Sequence, residues 1–234
     1  MEQVPEFELS LVIPVYRESA RIQDFAQNLR SFTGRWQFPI QLILVQDPSA
    51  EDRIEADLLK QELAATARLQ VEWITSPRRL GRGASVRRGL ENATGKFIFV
   101  LSVDLNVPLA EIPNSLRDFT ERPDLALLIG NRLSEKKLRH GPRNHWLSAF
   151  ENAQREKWQK KLPGLTDPTC SFVAIRQNAK VQLLSNFQPR RWFWSPDLLA
   201  NAFRQNLLVS EKAIVCHDSL PSRFGWREAF LSLW

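Results

Sequence analysis

The sequence predicts an α/β protein: a doubly wound, mostly parallel sheet with helices on both faces. Short apolar runs of strand length recur along the chain. The stretches between them carry apolar residues at helical spacing, and strand and helix alternate throughout the first half. Continuous apolar runs mark strands buried on both faces, and the alternation marks parallel strands joined by helical crossovers.

Leu9-Ser10-Leu11-Val12-Ile13, ended by Pro14, is the first strand. Arg17 to Phe32 follows as a helix, with Ile22, Phe25, Ala26 and Leu29 on one face. Gln41 to Gln46 is a second buried strand, closed by the turn Asp47-Pro48-Ser49, and Glu51 to Arg68 is a long helix. Val71 to Thr75 is the third strand and Gly83 to Ala93 the third helix, stopped by Thr94-Gly95. Phe97 to Leu101 is the fourth strand, Pro108 to Phe119 a turn and helix, and Leu125 to Ile129 the fifth strand. Beyond it the pattern loosens. Arg143 to Lys161 reads as one amphipathic helix with a basic side, Ser171 to Ile175 as a strand, Pro196 to Arg204 as a helix and Leu207 to Cys216 as a strand. Trp226 to Trp234 reads as a short apolar tail helix.

The 234 residues suit one domain, residues 1–234, with a core over 9–225 and an amphipathic tail over 226–234. At 43% hydrophobic and 25% charged, the chain can bury a core. No stretch approaches the roughly 20 apolar residues that span a bilayer. Met1 to Glu8 is acidic, unlike a signal peptide. Cys170 and Cys216 form no CxxC pair, so neither a disulfide framework nor a zinc site is expected, and a reducing cytoplasm is the default. The net charge of +6 favours anionic partners.

Ligands of doubly wound sheets collect at the carboxyl ends of the strands. After the first strand stand Tyr16, which can stack on a nucleobase, and Glu18, which can bind base or ribose. After the third come Arg79, Gly81, Arg82 and Gly83, at a loop-to-helix junction. Glycines there admit close backbone approach, and the helix N-terminus offers N–H groups and a positive dipole end to a diphosphate. Both arginines add charge-assisted bonds. The stretch is neither a Walker loop nor GxGxxG. After the fourth strand, Asp104 with Asn106 can bind a hard divalent cation bridging two phosphates. Each piece also has a plain reading: an ordinary turn, a solvated basic loop, a capping aspartate. The consecutive letters His217-Asp218-Ser219 cannot converge as a triad does. Core packing accounts for most of the tryptophans.

Taken in order, VIPVYRE, LILVQDPSAED and LGRGASVRRGLENATGKFIFVLSVDLNVPLAEIP resemble the family 2 glycosyltransferase domain. They are similar to its dolichyl-phosphate mannosyl- and glucosyltransferase branch, where the stretches read roughly VIPxYNE, VDDGSxD and GKGxAVRxGxxxAxGxxxxxxDADLxxP. Ile129-Gly130-Asn131-Arg132 is similar to that branch's IGSR, and Asp167 to Phe172 to its D-x-x-C-G-F. Ser195 to Leu199 is similar to its FDxELL, and Ser219 to Arg223 to its S-x-x-SR. The resemblance covers roughly residues 9 to 225, and the order of the pieces is more specific than any one.

It implies the GT-A fold and transfer of a sugar, with inversion, from a nucleotide-diphosphate sugar to an anionic acceptor such as a polyprenyl phosphate. It implies that Pro14, Tyr16, Glu18 and Asp47 hold the nucleoside. Asp104, with Asn106, would hold Mg²⁺ or Mn²⁺, and Arg132, Ser222 and Arg223 would meet the acceptor phosphate. Ser102 stands where the family has the first aspartate of its DxD, and Gln46 where it has the first of its DDGS; Pro48 and Ser171 replace family glycines. Losing a carboxylate at the metal weakens divalent binding. An ionised phosphate acceptor needs no general base, whereas a hydroxyl acceptor does, and Asp167 is the candidate. Two other classes stand beside this reading: a degenerate relative that binds nucleotide sugar without turnover, and a basic nucleic-acid module, which leaves the order of the motifs unexplained. A lipid-linked acceptor would be met at the bilayer surface, through the tail and the basic helix, by a cytoplasmic, peripheral protein.

Overall fold

The computed structural model describes residues 6–49, 52–63, 66, 68–133, 145–189 and 193–217. Its elements run β1 (Leu9–Val15), α1 (Ser19–Thr33), β2 (Ile40–Gln46), α2 (Asp52–Leu63), β3 (Leu69–Thr75), α3 (Arg82–Asn92) and β4 (Phe97–Val100). There follow α4 (Glu111–Glu121), β5 (Leu125–Asn131), α5 (His145–Gln159), β6 (Val173–Arg176), α6 (Lys180–Ser185), α7 (Trp194–Arg204) and β7 (Leu208–Ala213).

The strands form one seven-stranded sheet in the order β3-β2-β1-β4-β6-β5-β7. β1, β2, β3 and β4 are parallel, and so are β5 and β7. β6 runs antiparallel between β4 and β5, so the sheet is mixed at that point. The chain builds β1 to β3 outward in one direction and then returns to lay β4 on the other side of β1. The carboxyl ends of β1 and β4 therefore flank a topological switch point, where such sheets open a crevice.

The apolar runs explain the central strands. All seven residues of β2 and all four of β4 are buried, as strands covered on both faces require. Phe25, Leu29, Phe99, Phe172, Phe187 and Trp194 fill the layers around them. Phe193 is buried as well, so core packing accounts for this pair; Trp192 lies outside the described residues. A buried polar knot fixes the opposite edge. Ser10 Oγ donates to Gln41 Oε1 at 2.6 Å, the Thr94 amide donates to the same oxygen, and the Gly95 amide donates to Ser10 Oγ.

Helix α3 carries the basic loop into the crevice, and Gly89 sets how close it lies. A Cβ at Gly89 would stand 2.3 Å from Val12 Cγ1 and 3.2 Å from Val45 Cγ2. Gly89→Ala is thus an overpacking change in a filled core and should cost about 1–3 kcal/mol in urea denaturation. An unchanged midpoint would mean that α3 can lift off β1 and β2 freely.

Among the described residues, no helix is long and apolar enough to cross a membrane. The tail expected at 226–234, and Ser222 and Arg223 before it, lie outside the described residues.

Candidate active site

The residues after β1, β2, β3 and β4 meet at the switch point. Tyr16 and Glu18 leave the end of β1 through Arg17, which takes a positive φ of 55°. The Arg79 guanidinium lies 4.3 Å from the centre of the Tyr16 ring, within cation–π range. Pro14, two residues earlier, is the half-buried residue of β1. Glu18 immediately precedes α1, and its carboxylate accepts a bond from Arg21 at 3.1 Å.

Asp47, at the end of β2, turns inward and is 3% exposed. Its Oδ1 accepts the Leu80 amide at 3.0 Å and its Oδ2 the Gly81 amide at 2.7 Å. Ser85 Oγ adds a longer bond at 3.3 Å. Asp47 thereby fastens the loop after β3 to the end of β2. Gly81, with φ 84°, precedes α3 in a conformation that costs glycine nothing. The first turn of α3, Arg82 and Gly83 onward, then opens its N-terminal end toward the crevice.

Arg82 spans that crevice. Its guanidinium donates to Ser102 Oγ, just beyond β4, at 2.5 Å. Burial lowers its pKa, while the charges of Asp104 and Glu18 pull it up and that of Arg132 pushes it down. Charges from three separate segments, Glu18, Asp104 and Arg132, therefore bear on one guanidinium. Asp104 Oδ1 accepts the Asn106 amide in a long bond of 3.4 Å. Leu105 between them takes a positive φ of 43°. The Asn106 carbonyl accepts the His217 amide at 2.7 Å, which ties this turn to the chain after β7.

On the far side, Arg132 follows β5 and grips Asp167. Nε donates to Oδ2 at 2.6 Å, one terminal nitrogen to Oδ1 at 2.8 Å, and the Arg132 amide to Oδ2 at 3.2 Å. Thr169 Oγ bonds both partners. Asp167 is wholly buried, whereas the Arg132 side chain keeps 23% of its surface exposed. Burial pushes the Asp167 carboxyl up, but Arg132 pulls it further down, below the usual carboxylate range. Burial likewise opposes the Arg132 charge, and Asp167 outweighs it and raises that pKa. Beside this pair, burial pushes the Cys170 thiol up to about 12, which leaves it protonated at neutral pH.

The model of glycosyl transferase family 2 matches residues 10–182. The chain belongs to that family.

Among its relatives is a dolichyl-phosphate beta-glucosyltransferase of Trichomonas vaginalis, 22% identical over 211 residues, which are 87% of this chain and 64% of that protein. The mouse dolichyl-phosphate beta-glucosyltransferase is 22% identical over 220 residues, 90% of this chain and 67% of its own. A dodecaprenyl-phosphate galacturonate synthase of Rhizobium johnstonii is 27% identical over 139 residues, 58% of this chain and 39% of that one. The chain thus spans just under two thirds of the Trichomonas relative's length. Among solved structures, glucosyl-3-phosphoglycerate synthase of Mycobacterium tuberculosis, in complex with Mn²⁺, UDP and glucosyl-3-phosphoglycerate, superposes with a TM-score of 0.65. It is 14% identical, and the match covers 97% of this chain and 76% of that one. That likeness shows the GT-A fold.

The family 2 membership sharpens two departures. Ser102 leaves Asp104 as the carboxylate of its turn, and the Ser102 hydroxyl is engaged by Arg82. Gln46 accepts a bond from the Trp73 indole at 2.7 Å. Among the described residues, no group of three or more His, Cys, Asp or Glu could hold a metal ion. A hard cation fits at Asp104 and Asn106 only with the oxygens of a bound diphosphate completing its shell.

Three partners escape a reading of the sequence. Ser102 seats Arg82, and Ser85 supports Asp47. Glu211, on β7, accepts the Thr166 and Asp167 amides at 2.8 and 2.5 Å and an Asn131 amide hydrogen at 3.1 Å. Nothing local marks any of them. The single available signal is that Glu211 is a charge within a strand on which hydrophobic residues would be expected.

Proposed function

We propose that this chain transfers a sugar, with inversion, from a nucleotide-diphosphate sugar to an anionic acceptor, the phosphate of a polyprenyl lipid. The observation that carries the reading is the meeting of strand-end residues at the switch point, where Asp47 holds the Leu80 and Gly81 amides, Arg79 lies over the Tyr16 ring and Arg82 bonds Ser102. The names of the relatives, dolichyl-phosphate and dodecaprenyl-phosphate enzymes, support the acceptor class.

In this reading Pro14, Tyr16 and Glu18 hold the nucleoside. Arg79, Gly81, Arg82 and Gly83 take the diphosphate, the glycines through close backbone approach and the arginines through charge. Asp47 acts on the nucleotide by holding that loop in shape. Asp104, with Asn106, holds a divalent cation together with the diphosphate, where it supplies Lewis-acid stabilisation of the leaving group. Arg132, fixed in orientation by Asp167, receives the acceptor phosphate; the family resemblance assigns Ser222 and Arg223 to the same acceptor, and both lie outside the described residues. Asp167 changes role from the one its sequence position suggests. Its oxygens are committed to four donors and its carboxyl is held ionised, so it is a poor base and a strong anchor. An ionised phosphate attacks the anomeric carbon without one. Catalysis then rests on positioning and on stabilising the charge that develops on the diphosphate.

The test is transfer from radiolabelled nucleotide sugars to a short polyprenyl phosphate in detergent. The expected product is the glycosyl polyprenyl phosphate with inverted anomeric configuration, read from its NMR coupling. Arg132→Lys keeps the charge but loses the two-pronged grip, so the acceptor KM should rise about tenfold while donor affinity holds. Donor binding with neither transfer nor hydrolysis across the panel would instead favour a degenerate nucleotide-sugar-binding protein.

A further inference from the structure

We propose that Glu211, on the edge strand β7, is a positioning residue for the acceptor: it holds Arg132 in its phosphate-receiving orientation without a bond to it. The proposal rests on the acceptor reading above and deepens it by naming what fixes that arginine beyond Asp167.

Arg132 is bracketed by two anchors, and both end on the Glu211 carboxylate. One is the backbone of its ion-pair partner. The Asp167 amide donates to Glu211 Oε1 at 2.5 Å, and the Thr166 amide donates to Oε1 at 2.8 Å and to Oε2 at 3.0 Å. The turn that carries Asp167 is thereby fastened to β7. The other anchor is Asn131, the residue before Arg132. Its side-chain amide donates to Glu211 Oε2 at 3.1 Å, and its Oδ1 accepts the Leu133 amide at 2.8 Å. A side-chain oxygen that accepts the amide two residues on closes an Asx turn, and Arg132 is the residue inside it.

The strand register makes this possible. β5 and β7 are parallel, with Ile129 opposite Glu211 and Asn131 opposite Ala213. Side chains two apart along a strand share a face, so Asn131 and Glu211 stand on the same face of the sheet. β7 is the last strand of that sheet, and Glu211 is half-buried. A charge on an edge strand commonly does no more than discourage pairing with another chain, and for that it faces water. Glu211 instead turns onto the amides that flank one arginine. Four hydrogen bonds reach its two oxygens, which fills the acceptor sites of a carboxylate. Glu211 therefore has no capacity left for the acceptor itself and acts through Asn131 and Asp167. Loosening it leaves the Arg132–Asp167 pair in place but no longer aimed.

The experiment is the polyprenyl-phosphate transfer assay on full-length wild type, Glu211→Gln, Arg132→Lys and the double variant. Affinity for UDP, and for GDP, ADP, CDP and TDP in parallel, is read by calorimetry. Glutamine keeps the shape of Glu211 but sets an NH₂ group against N–H donors. Glu211→Gln should raise the acceptor KM about tenfold, with kcat and nucleotide affinity within about threefold of wild type. In the Arg132→Lys background the same change should raise KM by less than about threefold, because a residue acting through Arg132 cannot remove its contact twice. Equal loss of nucleotide and acceptor affinity overturns the proposal, since a merely structural role gives that result. Effects of the two substitutions that multiply, or an unchanged KM in folded Glu211→Gln, also overturn it and leave the acceptor reading standing. If Glu211→Gln fails to fold by thermal melting, Asn131→Ala cuts only the limb beside Arg132 and should show the same split and the same coupling; an unchanged KM there overturns the proposal. If Arg132→Lys alone leaves the acceptor KM unchanged, or the wild type forms no product, the acceptor reading falls and takes the proposal with it.

Discussion

Replacing Asp167 by alanine should destabilise the fold by about 3 kcal/mol, the lower end of what breaking a buried ion pair costs. The carboxylate is wholly buried, so its removal leaves a gap as well as a lone guanidinium. Arg132 keeps 23% of its side chain exposed, and water softens the loss, hence the lower end. The backbone suffers too, because the Arg132 amide loses its acceptor. In protein that remains folded, the guanidinium is no longer aimed, and acceptor affinity should fall with it. The pH dependence separates this anchor from a general base. Arg132 holds the Asp167 carboxyl below its unfolded value of about 4, so the unfolded chain binds the proton more readily. The pair's stabilisation is therefore present above about pH 4 and lost as pH falls through the lower folded value. Urea denaturation of wild type and Asp167→Asn should differ at pH 7, and the difference should begin to shrink as pH falls below about 4. Equal stability at pH 7 would show that the pair does not hold this edge of the site. A variant that is stable but loses only the acidic limb of its rate profile would return Asp167 to the role of base.

How much of this was legible in the sequence differs by kind of information. β1, β2 and β4 were readable as mostly apolar buried runs, whereas β3, with Gln70 exposed and Glu72 half-buried, was readable only from the Val71, Trp73 and Ile74 side chains. Gln41 to Gln46 was read one residue short of β2. The helix expected from Glu51 to Arg68 is described only from Asp52 to Leu63. β6 was read as a strand, but nothing in Val173–Arg176 tells its direction, which depends on pairing with both β4 and β5. The six-residue α6 was too short to impose a period and was missed. Strand ends told where to look, and residues after β1, β2, β3 and β4 do come together there: Tyr16 with Arg79, Asp47 with the Leu80 and Gly81 amides, and Arg82 with Ser102. Which atom each side chain touches was not readable. Arg82 meets Ser102, and Arg132 meets Asp167, across long loops of chain, and pairings between distant segments leave no local pattern. The serine at 102 read as a loss of a carboxylate; only its contact with Arg82 gives it a task.

Asp47→Ala should lower stability and nucleotide affinity together. The Leu80 and Gly81 amides both donate to this carboxylate, at 3.0 and 2.7 Å, from a partly buried loop. A buried donor stripped of its acceptor costs about 1–3 kcal/mol, and the loop can recover part of that by turning toward water, so a loss of about 2 kcal/mol is expected. Turning outward moves Gly81 from its φ of 84° and shifts Arg79 and Arg82 on either side of it. The diphosphate then meets a loop that must be ordered on binding, and affinity should fall about tenfold or more. Asp47→Asn is the sharper probe. It keeps the shape but turns one accepting oxygen into a donor facing an N–H, so at least one of the two bonds is replaced by repulsion. If Asp47 instead touched the nucleoside itself, Asp47→Asn would weaken binding while leaving the urea midpoint where it was. The geometry leads us to expect a lowered midpoint for both variants, larger for alanine, with calorimetric affinity falling in step. Ser85→Ala, which removes only the 3.3 Å bond, should leave both quantities close to wild type.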